Sequence, residues 1–158
     1  MTANEKINLE IYKVLSQDTF LPKGGETYCN SAVYRILESL FPGNKELWNK
    51  EKKDIMMANE MYDYLKKNKV GVVVLDALSD FSIFNTPHIY IACCKGESHG
   101  HIALIKPGRA RCWSGSWGKY VPLCVNIGKK NDIMPLSEAF KEEPDIFHFR
   151  EFCWGEEQ

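Results

Sequence analysis

Two residues that can carry nucleophilic chemistry stand 72 positions apart in the chain, Cys29 and His101. Cys29 falls in the first turn of a predicted helix, on its apolar face with Ala32, Val33 and Ile36. The positive end of the helix dipole and the unpaired N–H groups there favour the thiolate, the nucleophilic form of cysteine. The same N–H groups can hold the oxyanion that forms when sulfur attacks a carbonyl. An isolated cysteine near a helix end is more often a small core residue, so this interpretation requires a partner.

His101 is the candidate partner. It follows Gly100 and opens the apolar segment 101–106, so a strand there places the imidazole at the end of a sheet, where it can face a cleft. Such a histidine can take a thiol proton and later return it to a leaving amine. His99 is a competing base, but it lies in the predicted loop 96–100. We therefore expect Cys29 to be the nucleophile and His101 the general base.

A catalytic imidazole needs a polar group that orients it through its other ring nitrogen. If Pro107 pairs with Tyr120 in a hairpin, His101 lies opposite Asn126 on the same face of the sheet. The sequence therefore predicts Asn126 as the third catalytic residue. Ser114 and Ser116 are the alternatives if the hairpin is shorter, and Asn126 could equally be a residue that begins a turn.

The six cysteines do not form a disulfide framework, because their spacing shows no repeating pattern. Cys93 and Cys94 are adjacent on a predicted strand, so their side chains point to opposite faces and cannot both reach one metal ion. The pattern with His99 and His101 also matches no zinc motif. We expect free thiols, no metal and no cofactor.

The elements that must position these residues change in type along the chain. Helical periodicity predicts helices over 4–15, 27–40 and 54–68, with Thr27 as an N-cap, and a short helix over 137–141. Short apolar or alternating segments predict strands over the following ranges: 70–75, 88–94, 101–106, 120–127 and 146–152. Helices followed by closely connected strands predict an α+β fold, a mostly antiparallel sheet and a single domain over 1–158.

Composition excludes several classes of protein. The 158 residues carry a net charge of −1, which gives no reason to expect nucleic acid as a partner. No apolar stretch is long enough to span a bilayer, so we expect a soluble protein without stable membrane insertion. Residues 1–15 lack the pattern of a secretory signal, which predicts a cytoplasmic protein or one exported by a signal-independent route.

Two segments resemble the NlpC-like and CHAP-like cell-wall hydrolases of the papain-like superfamily: 27–33 (TYCNSAV), which is similar to their nucleophile helix, and 100–105 (GHIALI), which is similar to their histidine strand. The resemblance implies a papain-like core whose Cys-His-polar triad cleaves amide bonds in peptidoglycan peptides. By that match Cys29 is the nucleophile and His101 the base, while Asn126 or Ser114 fills the third role. The alternatives are a protease, deamidase or transferase acting on a protein, and a non-catalytic binding domain. The expected partner is a peptidoglycan or peptide substrate, and the sequence names no inhibitor or immunity protein.

Overall fold

The computed structural model describes residues 1–24, 27–69 and 71–154, which form four α-helices and eight strands. The helices are α1 (Ala3–Leu15), α2 (Cys29–Leu40), α3 (Ala58–Asn68) and α4 (Leu136–Ala139). A two-stranded hairpin of β1 (Trp48–Asn49) and β2 (Asp54–Ile55) separates α2 from α3. The remaining strands are β3 (His88–Cys94), β4 (His101–Ile105), β5 (Arg111–Ser114), β6 (Lys119–Asn126), β7 (Asp132–Pro135) and β8 (Asp145–Glu151).

These six later strands form one antiparallel sheet in the order β5-β6-β4-β3-β8, with β7 pairing on β6. The short β3–β4 connection makes those two strands a hairpin, in which Cys94 lies opposite His101. The α+β class and the mostly antiparallel sheet are confirmed. No helix of the described residues has the length and apolar character that crossing a membrane requires.

Strand alternation divides the core between the two faces of this sheet. On one face α1, α2 and α3 cover a cluster that includes Cys29, Ile102 and Phe147. The other face holds a second cluster, where Ala103 and Ile105 of β4 pack with Phe140 and the segments around two 3-10 turns. Helix α2 lies in the first cluster because its apolar residues recur at helical spacing, and it packs on β4.

Three predicted elements differ from the structure. Residues 54–55 form strand β2, so the third helix begins at Ala58 rather than at 54. The strand predicted over 70–75 is reduced to one bridge, Val73 to Ile146, followed by a 3-10 turn at Leu75–Ala77, and Val70 lies outside the described residues. Tyr28, not Thr27, is the N-cap of α2, and its side chain makes no capping hydrogen bond.

The predicted hairpin register was also wrong. Leu104 lies opposite Val125 and Ile105 opposite Cys124, so β4 is displaced by two residues from the register that pairs Pro107 with Tyr120. The chain between β4 and β6 also contains β5, which pairs with the first half of β6. A shift of two residues keeps every side chain on its original face of the sheet. Asn126 therefore stays on the face that carries His101, although it is not directly opposite.

Candidate active site

Cys29 is the first residue of α2 and lies at the contact between this helix and β4. Its side chain belongs to the helical face of the core, and the residue is only 7% exposed. The backbone N–H groups of Cys29 itself, of Asn30 and of Ile102 on β4 favour the ionised form of its sulfur and lower the pKa of the thiol. The first two are among the N–H groups that every helix leaves unpaired in its first turn. Backbone N–H groups of two elements, α2 and β4, thus stabilise a negative charge on the sulfur.

The protonation state of Cys29 differs from the expectation. Burial raises the pKa of the thiol above its ordinary value, and the opposing effect of the Ile102, Asn30 and Cys29 N–H groups does not overcome it. Burial removes water that would solvate a thiolate, and this cost exceeds the stabilisation by the helix terminus. The N–H groups at the helix terminus favour the thiolate as expected, but burial outweighs their effect on the pKa. Cys29 is a neutral thiol near pH 7, and its ionisation requires a base.

His101 and Asn126 form the shortest polar contact of the site. The His101 Nε2 atom lies 2.6 Å from the Asn126 Oδ1 atom. The Asn126 Nδ2 group donates to the Lys130 carbonyl oxygen at 2.8 Å, which fixes the orientation of the amide. Since Oδ1 can only accept, Nε2 must carry the hydrogen, and the neutral ring has its lone pair on Nδ1. The predicted contact between His101 and Asn126 is confirmed, and it defines the basic nitrogen.

The imidazole packs against one aromatic ring of the core. The Phe140 ring lies 4.8 Å from the imidazole, centre to centre, and packs on it from the second core cluster. Burial lowers the pKa of His101, although the hydrogen bond to Asn126 acts in the opposite direction. The ring is therefore neutral near pH 7 and can accept a proton. These two pKa shifts favour a neutral Cys29 thiol and a neutral His101 imidazole in the resting state.

The segment before His101 is held by Asn59, a residue that sequence reasoning missed. The Asn59 Nδ2 group donates to the Gly96 carbonyl at 3.0 Å, and Gly96 N–H donates back to Asn59 Oδ1 at 3.1 Å. Gly100 passes close to the same side chain, and a Cβ atom there would lie 2.6 Å from the Cys94 carbonyl oxygen. Glycine is therefore required at position 100. Helix α3 positions the start of β4 through this contact.

Other predicted candidates lie away from this arrangement. Ser114 is buried at the end of β5, where its hydroxyl accepts from the Trp117 N–H, so Asn126 and not Ser114 orients the imidazole. His99 is exposed in the loop between β3 and β4. Within 1–24, 27–69 and 71–154, no hydrogen bond joins the Cys29 sulfur to His101, and no three metal-ligand side chains converge.

A cavity of about 490 Å³ opens beside the imidazole. Its wall is formed by Thr27, two residues before α2, by His101 and Asn126, by the turn between β6 and β7, and by α4. A larger groove of about 870 Å³ lies between the end of α2 and the β1–β2 hairpin, but no predicted catalytic residue lines it. The smaller cavity is therefore the one that reaches His101 and Asn126, and Cys29 is not among its lining residues.

Comparison with known proteins adds no family to this description. A scan against protein-family models finds no match, and a search of curated proteins finds none.

Proposed function

We propose that the protein is a cysteine hydrolase that cleaves amide bonds through Cys29, His101 and Asn126. One observation carries the proposal: the start of β4 supplies both an N–H group to the thiol, from Ile102, and the adjacent residue His101, whose ring is oriented by Asn126. A buried thiol, a base of defined tautomer and a side chain that fixes this tautomer are the parts of nucleophilic amide hydrolysis.

The reaction begins from the neutral pair. His101 Nδ1 takes the thiol proton as the Cys29 sulfur bonds to the amide carbon, whose carbonyl oxygen becomes an oxyanion. Backbone N–H groups at the start of α2 hold that oxyanion. The tetrahedral intermediate collapses, the C–N bond breaks, and His101 gives its proton to the leaving amine. Water then loses a proton to His101 as it attacks the thioester, which releases the acid and restores the thiol.

No hydrogen bond joins the Cys29 sulfur to the His101 ring among the described residues, so this scheme requires the two side chains to approach each other when substrate binds. Catalytic hydrogen bonds in unliganded enzymes are often long, and they shorten when substrate is bound. His101 lies at the first residue of β4, at the end of the sheet, and the cavity beside it gives a substrate access. Substrate binding that excludes water would also strengthen the attraction between the protonated His101 ring and the oxyanion that form during the attack.

The proposal also names a family and a substrate class. The resemblance of segments 27–33 and 100–105 to NlpC-like and CHAP-like hydrolases supports a papain-like core and peptidoglycan peptides as substrate. The confirmed α+β class and the Cys-His-Asn composition of the site agree with it. A protease, deamidase or transferase acting on a protein would use the same three residues, so substrate assays must separate these activities.

The test is muropeptide release from purified sacculi, measured by mass spectrometry. Cys29→Ala and His101→Gln should each abolish release, while Cys153→Ala, which changes an exposed cysteine, should retain it. Circular dichroism of each variant checks that the fold is intact. Full release by Cys29→Ala contradicts the assignment of the nucleophile. If the wild type releases no muropeptides but cleaves a protein substrate, and Cys29→Ala prevents that cleavage, the enzyme acts on proteins rather than on peptidoglycan.

A non-catalytic binding domain is the second candidate, and the neutral, buried thiol is the observation that favours it. In that case Cys29 should react with iodoacetamide as slowly in the wild type as in His101→Gln, because no base assists its ionisation. A catalytic pair predicts slower alkylation in His101→Gln. Peptide mapping of the modified cysteines by mass spectrometry distinguishes the two functions.

A further inference from the structure

Two of the four histidines of the chain form a pair that the proposed reaction does not use. His88 is the first residue of β3, and His148 lies in the middle of β8, the neighbouring strand. The His88 Nδ1 atom lies 2.8 Å from the His148 Nε2 atom, and both residues are partly exposed to solvent. Strand β3 reaches His101 at its other end, through Cys94. The pair is therefore separate from the candidate active site.

An irregularity in the pairing of β3 with β8 brings the two rings together. Tyr90 pairs with His148, whereas the residue before it, Ile89, pairs with Arg150, so β8 carries one extra residue between these two pairs. Such a bulge changes the direction of the side chains next to it. His88 and Tyr90 lie on the same face of β3, because they are two positions apart. His148 is thus a diagonal neighbour of His88 on that face.

Aromatic contacts fix the position of the pair. The centre of the Tyr90 ring lies 5.3 Å from that of His148, and Tyr90 packs edge-on against Phe84, also at 5.3 Å. Both of these aromatic residues are buried in the second core cluster. The two imidazole centres are 4.9 Å apart, and their planes are inclined by 41°. The core therefore holds the histidines side by side before any ligand binds.

The spacing of the two nitrogens matches that of neighbouring ligands of one metal ion. Imidazole nitrogen binds a transition metal at about 2.0–2.1 Å. Two such ligands at a right angle are about 2.9 Å apart, whereas a tetrahedral angle separates them by about 3.3 Å. The 2.8 Å between His88 Nδ1 and His148 Nε2 is close to the first value. The pair therefore fits a square-planar or six-coordinate ion better than a tetrahedral one.

Metal binding at this pair has to displace one hydrogen. In the metal-free protein the 2.8 Å contact between two neutral rings is a hydrogen bond, with the hydrogen on one of the two nitrogens. A metal needs a lone pair on both nitrogens, so the donor ring must carry its hydrogen on its other nitrogen instead, through exchange with water. Each neutral ring keeps one hydrogen, and binding releases no proton. One hydrogen bond is exchanged for two metal–nitrogen bonds.

We propose that His88 and His148 bind a divalent ion of the Ni²⁺ and Cu²⁺ class through Nδ1 and Nε2. Imidazole suits these ions, and tetragonal geometry is typical of them. No third metal-binding side chain converges on the pair within 1–24, 27–69 and 71–154, so water fills the other coordination positions. Glu151 pairs with His88 in the strand register and is exposed, which adds a negative charge to the same face. The bound ion links β3 to β8.

The test is Ni²⁺ binding to the full chain at pH 7, measured by calorimetry in a buffer that does not bind the ion. Loss of an outer partner of a metal ligand already costs about 10- to 100-fold in affinity, and loss of the ligand itself should cost no less. His88→Gln and His148→Gln should therefore each weaken the tightest binding by about tenfold or more. Circular dichroism checks that both variants are folded.

Two control variants test whether the effect is specific. His99→Gln removes an exposed histidine of the β3–β4 loop, and Cys153→Ala removes an exposed thiol that follows β8. Both should bind Ni²⁺ with the affinity of the wild type. Equal affinity of the wild type, His88→Gln and His148→Gln overturns the proposal, and so does an equal loss of affinity in His99→Gln or Cys153→Ala.

A second measurement does not depend on the stability of any variant. Paramagnetic Ni²⁺, added to the wild type below one equivalent, should broaden the imidazole NMR signals of His88 and His148 before those of His99 and His101. Mg²⁺, which prefers oxygen ligands, should leave all four signals unchanged. Broadening of another histidine first, or of all four equally, refutes the site. Neither measurement involves hydrolysis, so the metal site is tested independently of the proposed function.

Discussion

Replacing Asn126 by alanine separates the role of this residue in the site from its role in the fold. The substitution removes two hydrogen bonds, from His101 Nε2 to Oδ1 at 2.6 Å and from Nδ2 to the Lys130 carbonyl at 2.8 Å. Asn126 is only 7% exposed, so both former partners lose a contact that water replaces poorly. The imidazole is then free to rotate and to place its hydrogen on either nitrogen.

The effect on stability follows from the number of bonds lost. Each hydrogen bond contributes about 0.5–1.5 kcal/mol, so Asn126→Ala should lower the free energy of unfolding by about 1–3 kcal/mol. In a protein of this size that corresponds to a decrease in Tm of about 2–12 °C. The loss of oriented acid–base catalysis should reduce hydrolysis by about 10²- to 10⁴-fold, far more than the loss of stability would cause at 25 °C.

Asn131→Ala is the matched control. It also removes two side-chain hydrogen bonds from the same turn, to the Gly128 N–H and to the Phe20 carbonyl, but it does not touch the imidazole. Urea unfolding should show a similar loss of stability in both variants. ¹⁵N NMR of the imidazole should show a changed tautomer only in Asn126→Ala. If Asn126→Ala is destabilised but keeps the wild-type tautomer and rate of hydrolysis, the reasoning about orientation is refuted.

Further predictions concern the approach to the site, its response to pH and the core. Gly100→Ala places a Cβ against the Cys94 carbonyl and the Asn59 side chain, so urea unfolding should show a loss of about 1–3 kcal/mol, and NMR should show displaced His101 signals. Burial lowers the pKa of His101 in the folded protein. As the pH falls, His101 therefore becomes protonated at a higher pH in the unfolded chain than in the folded protein. The free energy of unfolding should therefore decrease as the pH falls below about 6.5. Urea unfolding at pH 7.5 and 5.5 should show a smaller decrease in His101→Gln than in the wild type. Phe147→Ala empties a position that is 1% exposed and should cost about 3–5 kcal/mol in the same assay.

Local patterns were sufficient to predict where the site residues lie on their elements. The apolar spacing of α2 placed Cys29 in the first turn, and the apolar run after Gly100 placed His101 at the start of a strand. Asn126 was found from an incorrect register because the error was an even number of residues, which leaves a side chain on the same face. An error of one residue would have selected a neighbour that points away.

Properties that depend on distant contacts could not be predicted from sequence. The protonation of Cys29 is determined by burial at the contact between α2 and β4, two elements that lie far apart in the chain. The contact between Asn59 and Gly96 joins residues 37 positions apart and has no local signal. Strand β5 was missed because its four residues, Arg111–Ser114, show neither clear alternation nor an apolar run, and only pairing with β6 stabilises them as a strand.

Two parts of the proposed site depend on the start of β4, and this limits how the site can be transferred to another protein. One strand start carries the Ile102 N–H group that faces the sulfur and the His101 side chain that turns towards the second core. Because adjacent residues of a rigid strand move together, a distortion that withdraws the base also withdraws the hydrogen-bond donor. The site could be transplanted to another scaffold only with this strand, its Asn126 partner and the first turn of α2 as one unit. A graft of the three side chains alone would leave the sulfur without its donor from β4.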